Sequence, residues 1–533
     1  MRLKRHTYYL FCSISAAILL TLCWEPFGFF VTGFVGFVPL FFLEQKVREQ
    51  KDSSTLFFVY VSLTLFLWNA AVTFWIWNAT AFGAIAAFII NMLMMSLPFV
   101  VYHRMQKRTH DNRAEWIFIF SWIAFEFWHL NWDLSWPWLT LGNIFSTAPS
   151  IVQWYEYTGY LGGTFWVLFV NFKIFNYLKN FNERSVVMNF SKAFNLLFFL
   201  LFAPIFLSYY ISIKYTETEH PVNVLVVQPN IDPYKDKFGN MTPFEQTTKM
   251  LKIAEEKMDS SVQLVCFPET SLMGNLDEKR LETNESIQLV RQFMHKFPNA
   301  TIVSGADTYK FYDDPKQKST TARKLEGDEF YDVYNTALYV DSSQNIQIYH
   351  KAKLVPGVEK MPFPKVFHYL DKFAVSLGGT SGSLGNEDSS KVFNTYYGHK
   401  IAPVICYESI YGEFVGTYIS KGAELICIVT NDGWWGKTPG IYQHFNFAAL
   451  RAIETRRYVA RSANTGVSGF FDAKGNIISK TEWWKDDAQK ATLNYNSGET
   501  FYVKYGDYIG RFSCVVALIS IVFYWRKSEL ADY

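Results

Sequence analysis

The sequence predicts a multi-pass α-helical membrane domain of about eight spans joined to an α/β domain. Half of the 533 residues are apolar and 19% are aromatic, yet the mean hydropathy is only +0.02. A mean near zero indicates that a very apolar part and an ordinary polar part offset each other. A chain of this length also exceeds what one hydrophobic core usually fills, so at least two units are expected.

Apolar stretches long enough to cross a bilayer lie mainly in the N-terminal part. A helical span needs roughly 20 apolar residues. The predicted spans are residues 8–24, 27–43, 55–77, 80–102, 114–130, 159–178, 193–213 and 509–525. We therefore expect residues 1–215 to form a membrane domain of seven helices, 216–505 a second domain, and 506–533 a final span with a short tail.

Lysine and arginine occur in alternate loops between these spans. They lie near the N-terminus and at residues 46–51, 104–113, 179–192 and 526–527, whereas the short connections around residues 25–26 and 78 and the stretch 131–160 carry none. Cytoplasmic loops of membrane proteins are enriched in these residues. The pattern predicts cytoplasmic N- and C-termini, with residues 216–505 on the opposite side of the membrane.

Charge and cysteine content argue against several other classes of protein. The net charge is +2, and no basic run stands out that could neutralise several phosphates, so nucleic acid is not an expected partner. The six cysteines lack the spacing of zinc ligands or of a disulfide framework. We therefore expect no metal and no other cofactor.

From residue 222 the hydrophobic period changes to that of alternating strands and helices. The runs that predict buried strands are residues 224–228, 264–267, 301–304, 336–340, 401–405 and 425–429. Helical apolar spacing occurs at residues 243–258, 284–295 and 442–461. This alternation predicts an α/β domain with buried sheets. Active residues in such domains tend to lie just past strand ends.

Three predicted strand ends carry residues with useful chemistry: Glu269, Lys351 and Cys406. Taken alone, each has an ordinary structural explanation as a helix cap, a solvated amine or a core thiol. Taken together, they supply the nucleophile, the base and the oxyanion-binding cation that a cysteine-dependent acyl transfer needs.

The motifs around these residues resemble the carbon-nitrogen hydrolase (nitrilase) superfamily. They occur in the order FPET at 267–270, HKAKLVPGVEKMPF at 350–363 and PVICYES at 403–409, followed by NDGWWG at 431–436 and YQH at 442–444. Eight spans around such a domain resemble one branch, the bacterial apolipoprotein N-acyltransferases. This likeness covers nearly the whole chain and includes WPWLTLG at 136–142.

The resemblance implies a nitrilase-like αββα sandwich and a two-step acyl transfer. The donor would be a phospholipid and the acceptor the diacylglyceryl-modified N-terminal cysteine of an apolipoprotein. The enzyme would lie in the bacterial inner membrane with its catalytic domain in the periplasm. Membrane spans preceding the domain favour lipid substrates, because a simple tether needs one helix. A membrane-anchored nitrilase-type amidohydrolase, which delivers the acyl group to water, remains the alternative.

The resemblance also assigns roles to the three residues. Glu269 would be the general base, Lys351 the oxyanion stabiliser and Cys406 the nucleophile. Lys351 is preferred to Lys353 because the family's catalytic amine stands eight residues before the glutamate of a Val-Pro-Gly-x-Glu turn, here Glu359.

Several assignments around the site stay open at this point. Glu359, Tyr407 and Glu408 match further family positions and are predicted to support the site. The family often has a loop tryptophan after Gln-x-Asn-Ile, where this sequence offers Tyr234 or Phe238. The Gly- and Ser-rich residues 378–385 are as typical of a surface loop as of a lid over a lipid entrance.

Glu126 and His129 are ionisable residues in the fifth predicted span. Such residues within a bilayer often have a functional partner. The simpler interpretation, which we favour from the sequence, is that both lie near the outer boundary and are helped by water and by the Trp-rich segment that follows.

Overall fold

The computed structural model describes residues 2–109, 112–182, 190–325, 327–343, 345–363 and 383–529. The chain divides into two compact units, Met1–Lys214 together with Tyr505–Tyr533, and Tyr215–Lys504. The first unit is helical and the second is α/β.

The helical unit is built from long apolar helices. They are α1 (Arg2–Leu22), α2 (Val38–Glu49), α3 (Ser54–Thr73), α4 (Ala81–Thr109), α5 (Arg113–His129), α6 (Tyr160–Asn182), α7 (Phe190–Lys214) and a C-terminal helix (Tyr508–Glu529). Four helical segments of the described chain are long and apolar enough to cross a membrane: Phe30–Glu49, Ser54–Thr73, Ala81–Arg108 and Phe194–Lys214. The number of eight spans therefore stays a prediction.

The second predicted span, residues 27–43, is interrupted. A 3-10 turn covers Phe30–Phe34, and α2 begins only at Val38. The buried Asn171 of α6 binds both sides of this break: its Nδ2 donates to the Gly33 carbonyl at 2.8 Å, and its Oδ1 accepts from the Phe37 N–H at 2.9 Å. Backbone groups freed in an apolar environment need such partners because water is absent.

Glu126 is an internal anchor of the helical unit, so the expectation that water helps to solvate it is wrong. Its side chain is 3% exposed. Its Oε1 accepts from Trp122 Nε1 and from the Leu141 N–H, both at 2.9 Å. Its Oε2 accepts from Thr164 Oγ1 at 2.7 Å. Glu126 thereby joins α5 to the segment before α6 and to α6 itself.

His129 is also buried, and its partners are likewise protein groups. Trp132 Nε1 donates to His129 Nδ1 at 2.8 Å, which agrees with the predicted help from the Trp-rich segment. The other ring nitrogen lies 3.0 Å from Asn91 Oδ1. Because Nδ1 accepts a hydrogen bond, Nε2 is the protonated nitrogen and donates to Asn91.

The α/β unit contains fourteen strands among the described residues, in two sheets, and four longer helices. The strands are β1 (Pro221–Gln228), β2 (Leu264–Cys266), β3 (Leu272–Asp277), β4 (Thr301–Tyr312), β5 (Arg323–Lys324), β6 (Phe330–Val340), β7 (Gln347–His350), β8 (Phe393–Asn394), β9 (Lys400–Ile405), β10 (Leu425–Thr430), β11 (Val459–Ala463), β12 (Gly469–Phe471), β13 (Ile477–Lys480) and β14 (Asp487–Asn494). The helices are α8 (Pro243–Glu255), α9 (Glu285–Lys296), α10 (Gly412–Ser420) and α11 (Pro439–Thr455).

The two sheets have different strand orders. The first runs β14-β1-β2-β4-β6-β5, with β3 on β4 and β7 on β6, and the second runs β13-β12-β11-β10-β9-β8. In the first sheet β2 is parallel to both β1 and β4. In the second sheet β10 is parallel to both β9 and β11. All six predicted strands are therefore confirmed, and the α/β class with them.

The two sheets share one core, and the alternation of side chains along β1 shows this. Val224 and Val226 belong to a buried cluster that includes Val404 of the second sheet. The intervening Leu225 and Val227 belong to a separate cluster with residues of α8 and α9. Successive side chains of a strand point to opposite faces, so one face of β1 meets the other sheet and the other meets helices.

The predicted helix at residues 442–461 extends too far, because α11 ends at Thr455. Arg456 adopts a left-handed conformation with φ of +52°, which stops the helix. Residues Val459–Ala463 then form β11. The sequence misleads here because the apolar spacing of α11 continues without interruption into the alternating side chains of the strand.

Candidate active site

The α/β fold brings the predicted acid, amine and thiol into one polar cluster. Glu269 follows β2, Lys351 follows β7 and Cys406 follows β9. Asn335 of β6, which the sequence analysis did not single out, joins them. The three predicted site residues thus follow strand ends, as expected for an α/β domain.

Glu269 is a buried carboxylate with three hydrogen-bond donors. Its Oε1 accepts from Asn335 Nδ2 at 2.7 Å and from Lys351 Nζ at 3.1 Å. Its Oε2 accepts from the Asn431 N–H at 2.9 Å. The chain also passes very close to Gly305, where an added Cβ would lie 2.4 Å from the Cα of Glu269. Only glycine at residue 305 leaves room for this turn.

Lys351 lies between two carboxylates. Its side chain is 1% exposed, and its Nζ donates to Glu359 Oε1 at 2.8 Å as well as to Glu269. Asn335 Nδ2 also reaches Glu359, at 3.0 Å, so one amide bridges both acids. The remaining oxygen of Glu359 accepts from the Val355 N–H at 2.8 Å, which fixes the turn that carries Glu359.

These contacts fix the charges of the acid and the amine. Burial would lower the pKa of Lys351, but Glu269, Glu359 and Cys406 raise it well above its usual value. Burial raises the pKa of Glu269, but the Lys351 ammonium and the hydrogen bond from Asn335 outweigh burial and bring the pKa below its usual value. The site therefore holds an ammonium against carboxylates at neutral pH.

Cys406 stands on a strained turn beside this pair. Its φ is +47°, a left-handed conformation that is uncommon outside glycine. The thiol is partly exposed. Burial and the Glu269 carboxylate raise its pKa well above the usual value, although Lys351 acts in the opposite direction. The cluster thus holds a neutral thiol that the Glu269 carboxylate influences electrostatically.

Glu408 joins the Lys351 segment to the Cys406 turn. It is fully buried. Its Oε1 accepts from Tyr349 Oη at 2.6 Å and from the Ala352 N–H at 2.7 Å, and its Oε2 accepts from the Ile405 N–H at 2.8 Å. Burial raises the pKa of Glu408, although these donors oppose the rise. Both oxygens of Glu408 accept hydrogen bonds from protein groups, so Glu408 holds the Lys351 segment and the Cys406 turn together.

Tyr407, also predicted to support the site, packs inward next to the thiol. It is 4% exposed, and its ring meets that of Tyr411 edge-on at 5.3 Å. This packing fixes the backbone on the C-terminal side of Cys406.

A second polar network lies on the other side of the Cys406 turn. Arg461 Nη2 donates to Asp432 Oδ2 at 2.6 Å, and His444 Nδ1 lies 2.9 Å from Asp432 Oδ1. His444 Nε2 lies 3.0 Å from Ser409 Oγ. Ser409 in turn donates to the Cys406 carbonyl at 2.7 Å. Arg461 and Asp432, at one end of this network, are buried. Ser409, at the other end, donates to the turn that carries Cys406.

These residues have no role predicted from the sequence. Asp432 and His444 lie within the NDGWWG and YQH motifs, which carry only the family resemblance, and Arg461 lies in a segment predicted to be helical. Ligand atoms of Cys406, Asp432 and His444 lie within 4.8 Å of one another, the grouping of a possible metal site. Arg461 already supplies a positive charge to Asp432, which disfavours a further cation there.

Both candidates for the family's loop aromatic contact Trp434. Tyr234 Oη donates to the Trp434 carbonyl at 2.8 Å, and the Phe238 ring stacks on Trp434 at 6.3 Å. Between them, the buried Lys237 donates to Thr270 Oγ1, next to Glu269. The loop therefore brings a second amine close enough to act electrostatically on Glu269. Of the Gly- and Ser-rich residues 378–385, residues 378–382 lie outside the described part of the chain.

The α/β fold of the second unit agrees with the sequence comparisons. Residues 224–501, more than half of the chain, match the family described as carbon-nitrogen hydrolase, and the chain belongs to that family. Residues 16–173 match the apolipoprotein N-acyltransferase N-terminal domain. Together with the relatives described next, these matches place the chain among the apolipoprotein N-acyltransferases, which are acyl-transferring enzymes.

The similar curated proteins carry that name. An apolipoprotein N-acyltransferase of Chlorobaculum tepidum is 29% identical, with 81% of this chain and 80% of the relative covered. Apolipoprotein N-acyltransferase 2 of Treponema denticola is 25% identical, with 95% of each chain covered. Among solved structures, Saccharomyces cerevisiae Nit3 of the nitrilase superfamily has a TM-score of 0.37 and 16% identity, with 52% of this chain and 91% of that chain covered.

Proposed function

We propose that the protein transfers a fatty acyl chain from a phospholipid, through a thioester on Cys406, to the α-amine of the N-terminal diacylglyceryl-cysteine of a lipoprotein. The observation that carries the proposal is the buried Lys351 ammonium between Glu269 and Glu359, electrostatically coupled to the Cys406 thiol. A thiol, a carboxylate and an ammonium in one cluster are the three groups that acyl transfer through a thioester requires.

In the first half-reaction the Cys406 sulfur attacks the carbonyl carbon of a phospholipid acyl ester. Glu269, kept ionised by Lys351 and Asn335, accepts the thiol proton. The Lys351 ammonium stabilises the negative charge that develops on the carbonyl oxygen. The ester C–O bond then breaks, Glu269 returns the proton to the leaving alkoxide, and a thioester and a lysophospholipid result.

In the second half-reaction the amine of the acceptor attacks the thioester carbonyl. Glu269 accepts a proton from the amine, the C–S bond breaks, and the sulfur of Cys406 recovers a proton. The products are an amide and the starting enzyme. Conversion of a thioester to an amide is downhill, so the transfer needs no ATP.

We further propose a location that fits these substrates. The protein lies in the bacterial inner membrane with residues 216–505 in the periplasm and both termini in the cytoplasm. The supporting observations are the apolar helices of the first unit and the alternation of basic loops. Both lipid substrates are available at that surface.

The decisive experiment follows the acyl group. Purified protein incubated with phospholipid should acquire one acyl chain that hydroxylamine removes, and Cys406→Ser should acquire none. Cys427→Ser is the matched control, because this buried thiol belongs to the core of the same domain. An adduct that persists on Cys406→Ser would overturn the assignment.

The acceptor is tested separately by mass spectrometry of a lipoprotein N-terminus. Cells with the protein should carry a third acyl chain there, and cells without it should not. Absence of this mass difference, together with turnover of soluble amides, would favour the membrane-anchored amidohydrolase.

A further inference from the structure

An apolar cavity of about 890 Å³ lies within the helical unit. Its lining comes from α6, α7, the C-terminal helix, the segment that precedes α6 and one residue of α5. Ligand-binding pockets usually measure about 300–1,000 Å³, so the cavity is large enough for a ligand. None of its lining residues belongs to the α/β unit that contains the active site.

A proline in α7 shapes one wall of the cavity. Pro204 has no N–H, so the Leu200 carbonyl one turn earlier lacks its usual helical donor. The indole Nε1 of Trp166 in α6 donates to that carbonyl at 2.9 Å. All three residues line the cavity. The wall is therefore fixed by a specific hydrogen bond between two helices.

α7 otherwise has little contact with the rest of the described helical unit. Only 6% of its most apolar window is buried, against 39–56% for the other three span candidates. Its exposed face carries large apolar side chains such as Phe206. A helix of this composition is stable only with hydrocarbon around it. The cavity between α7 and α6 therefore opens to an apolar surrounding.

Polar groups of the lining are concentrated at one end of the cavity. Tyr157 and Thr158 lie just before α6 begins, and Tyr508 is the first residue of the C-terminal helix. Tyrosines are enriched where membrane helices meet water. Tyr157 and Tyr508 therefore mark the end of the cavity that lies nearest the membrane surface.

We propose that this cavity binds one acyl chain of a bilayer glycerophospholipid, with the head group toward the end that carries Tyr157 and Tyr508. An acyl chain is the apolar filler that a bilayer offers, since water does not enter the hydrocarbon region. The head group then lies at the polar end of the lining, where membrane helices meet water. Binding uses none of the active-site residues, so the inference goes beyond the proposed acyl transfer.

The test uses full-length protein in lipid nanodiscs that contain a phosphatidylethanolamine with a diazirine on its acyl chain. After illumination, mass spectrometry maps the labelled residues. We expect adducts on the lining residues of α6 and α7. Ala203→Trp, which fills the cavity, should reduce them several-fold, whereas Phe206→Trp, on the exposed face of the same helix, should leave them unchanged. Equal labelling of the two variants would overturn the proposal.

Two further variants complete the test. Leu207→Trp fills the cavity from another position if Ala203→Trp does not fold. Cys406→Ala stops the proposed turnover, and the cavity should label equally in that variant. An acyl chain that reached the cavity only as the Cys406 thioester would lose its label there, which would contradict the proposal even if acyl transfer itself is correct.

Discussion

The reactivity of Cys406 depends on the charges around its sulfur. Burial and Glu269 raise the pKa of the thiol, and Lys351 opposes them. A thiol with an ordinary pKa of about 8.5 reaches its full alkylation rate soon above that pH. We expect alkylation of Cys406 by iodoacetamide to be slow at pH 7 and still rising beyond pH 9, as measured by mass spectrometry of its peptide.

Replacing Lys351 tests the cause of this behaviour. Lys351→Met removes the charge that lowers the pKa of Cys406, so alkylation at a fixed pH should become slower still. Lys353→Met, two residues away and partly exposed, is the control and should change the rate little. Faster alkylation in Lys351→Met would show that Lys351 does not stabilise the thiolate.

Removal of the base should stop acyl-enzyme formation without unfolding the site. Glu269→Gln keeps the shape of the side chain, and Glu359 still pairs with Lys351. A positioned general base contributes roughly 10²- to 10⁴-fold to rate, and we expect a loss of that size in single-turnover formation of the thioester. Glu424→Gln, which removes a carboxylate paired with His399 elsewhere in the domain, should leave the rate unchanged.

The depressed pKa of Glu269 also sets the acid limit of the reaction. Its folded-state pKa lies below the ordinary value of about 4.3. The carboxylate is therefore fully present above that value and is lost only as the pH falls through the lower, folded pKa. Thioester formation should persist to a more acid pH than an unperturbed glutamate would allow. A loss of rate near pH 6 that follows protonation of Glu269 would contradict this.

At the scale of elements, strand β11 anchors the turn that carries Cys406. Its Arg461 neutralises the buried Asp432, which orients His444 and, through Ser409, the Cys406 carbonyl. Removing one partner of a buried ion pair typically costs about 3–5 kcal/mol because the other charge stays buried. We expect Arg461→Met to lower the free energy of unfolding of the α/β unit by that amount, measured by proteolysis in urea.

The control for this prediction is an exposed ion pair of the same domain. Arg280 is 75% exposed where it meets Asp277. Arg280→Met should change the free energy of unfolding little, because exposed pairs contribute little. If both variants unfold alike, the Asp432 network does not stabilise the turn.

These elements also mark how far the sequence could predict the structure. Strands such as β9 and β10 are rich in β-branched residues, so the strands and the candidate site residues that follow them could be predicted from the sequence. The partners of Asp432 could not be predicted, because they depend on β11 lying next to β10 and on α11 ending before Arg456. Asn335 was missed because its strand was predicted to begin one residue after it. Asn171 was missed because its partners, Phe37 and Gly33, lie 134 and 138 residues away in the sequence.

At the scale of the whole molecule, the distribution of basic residues predicts which side of the membrane each segment occupies. Cytoplasmic loops and the helix ends next to them hold the lysines and arginines, so Lys107 in the last turn of α4 should be cytoplasmic and Asp313 after β4 periplasmic. Both positions are exposed, and single cysteines placed at them can react with a membrane-impermeant maleimide. In cells with a permeable outer membrane, Asp313→Cys should be labelled at once and Lys107→Cys only after the inner membrane is disrupted.

The control for this labelling is the unsubstituted protein, which gives the background from the native cysteines. In the described α/β unit the native cysteines other than Cys406 are buried. Labelling of Lys107→Cys in intact inner membranes, with Asp313→Cys protected, would reverse the orientation and remove the proposed active site from the periplasmic surface where the acceptor amine is expected.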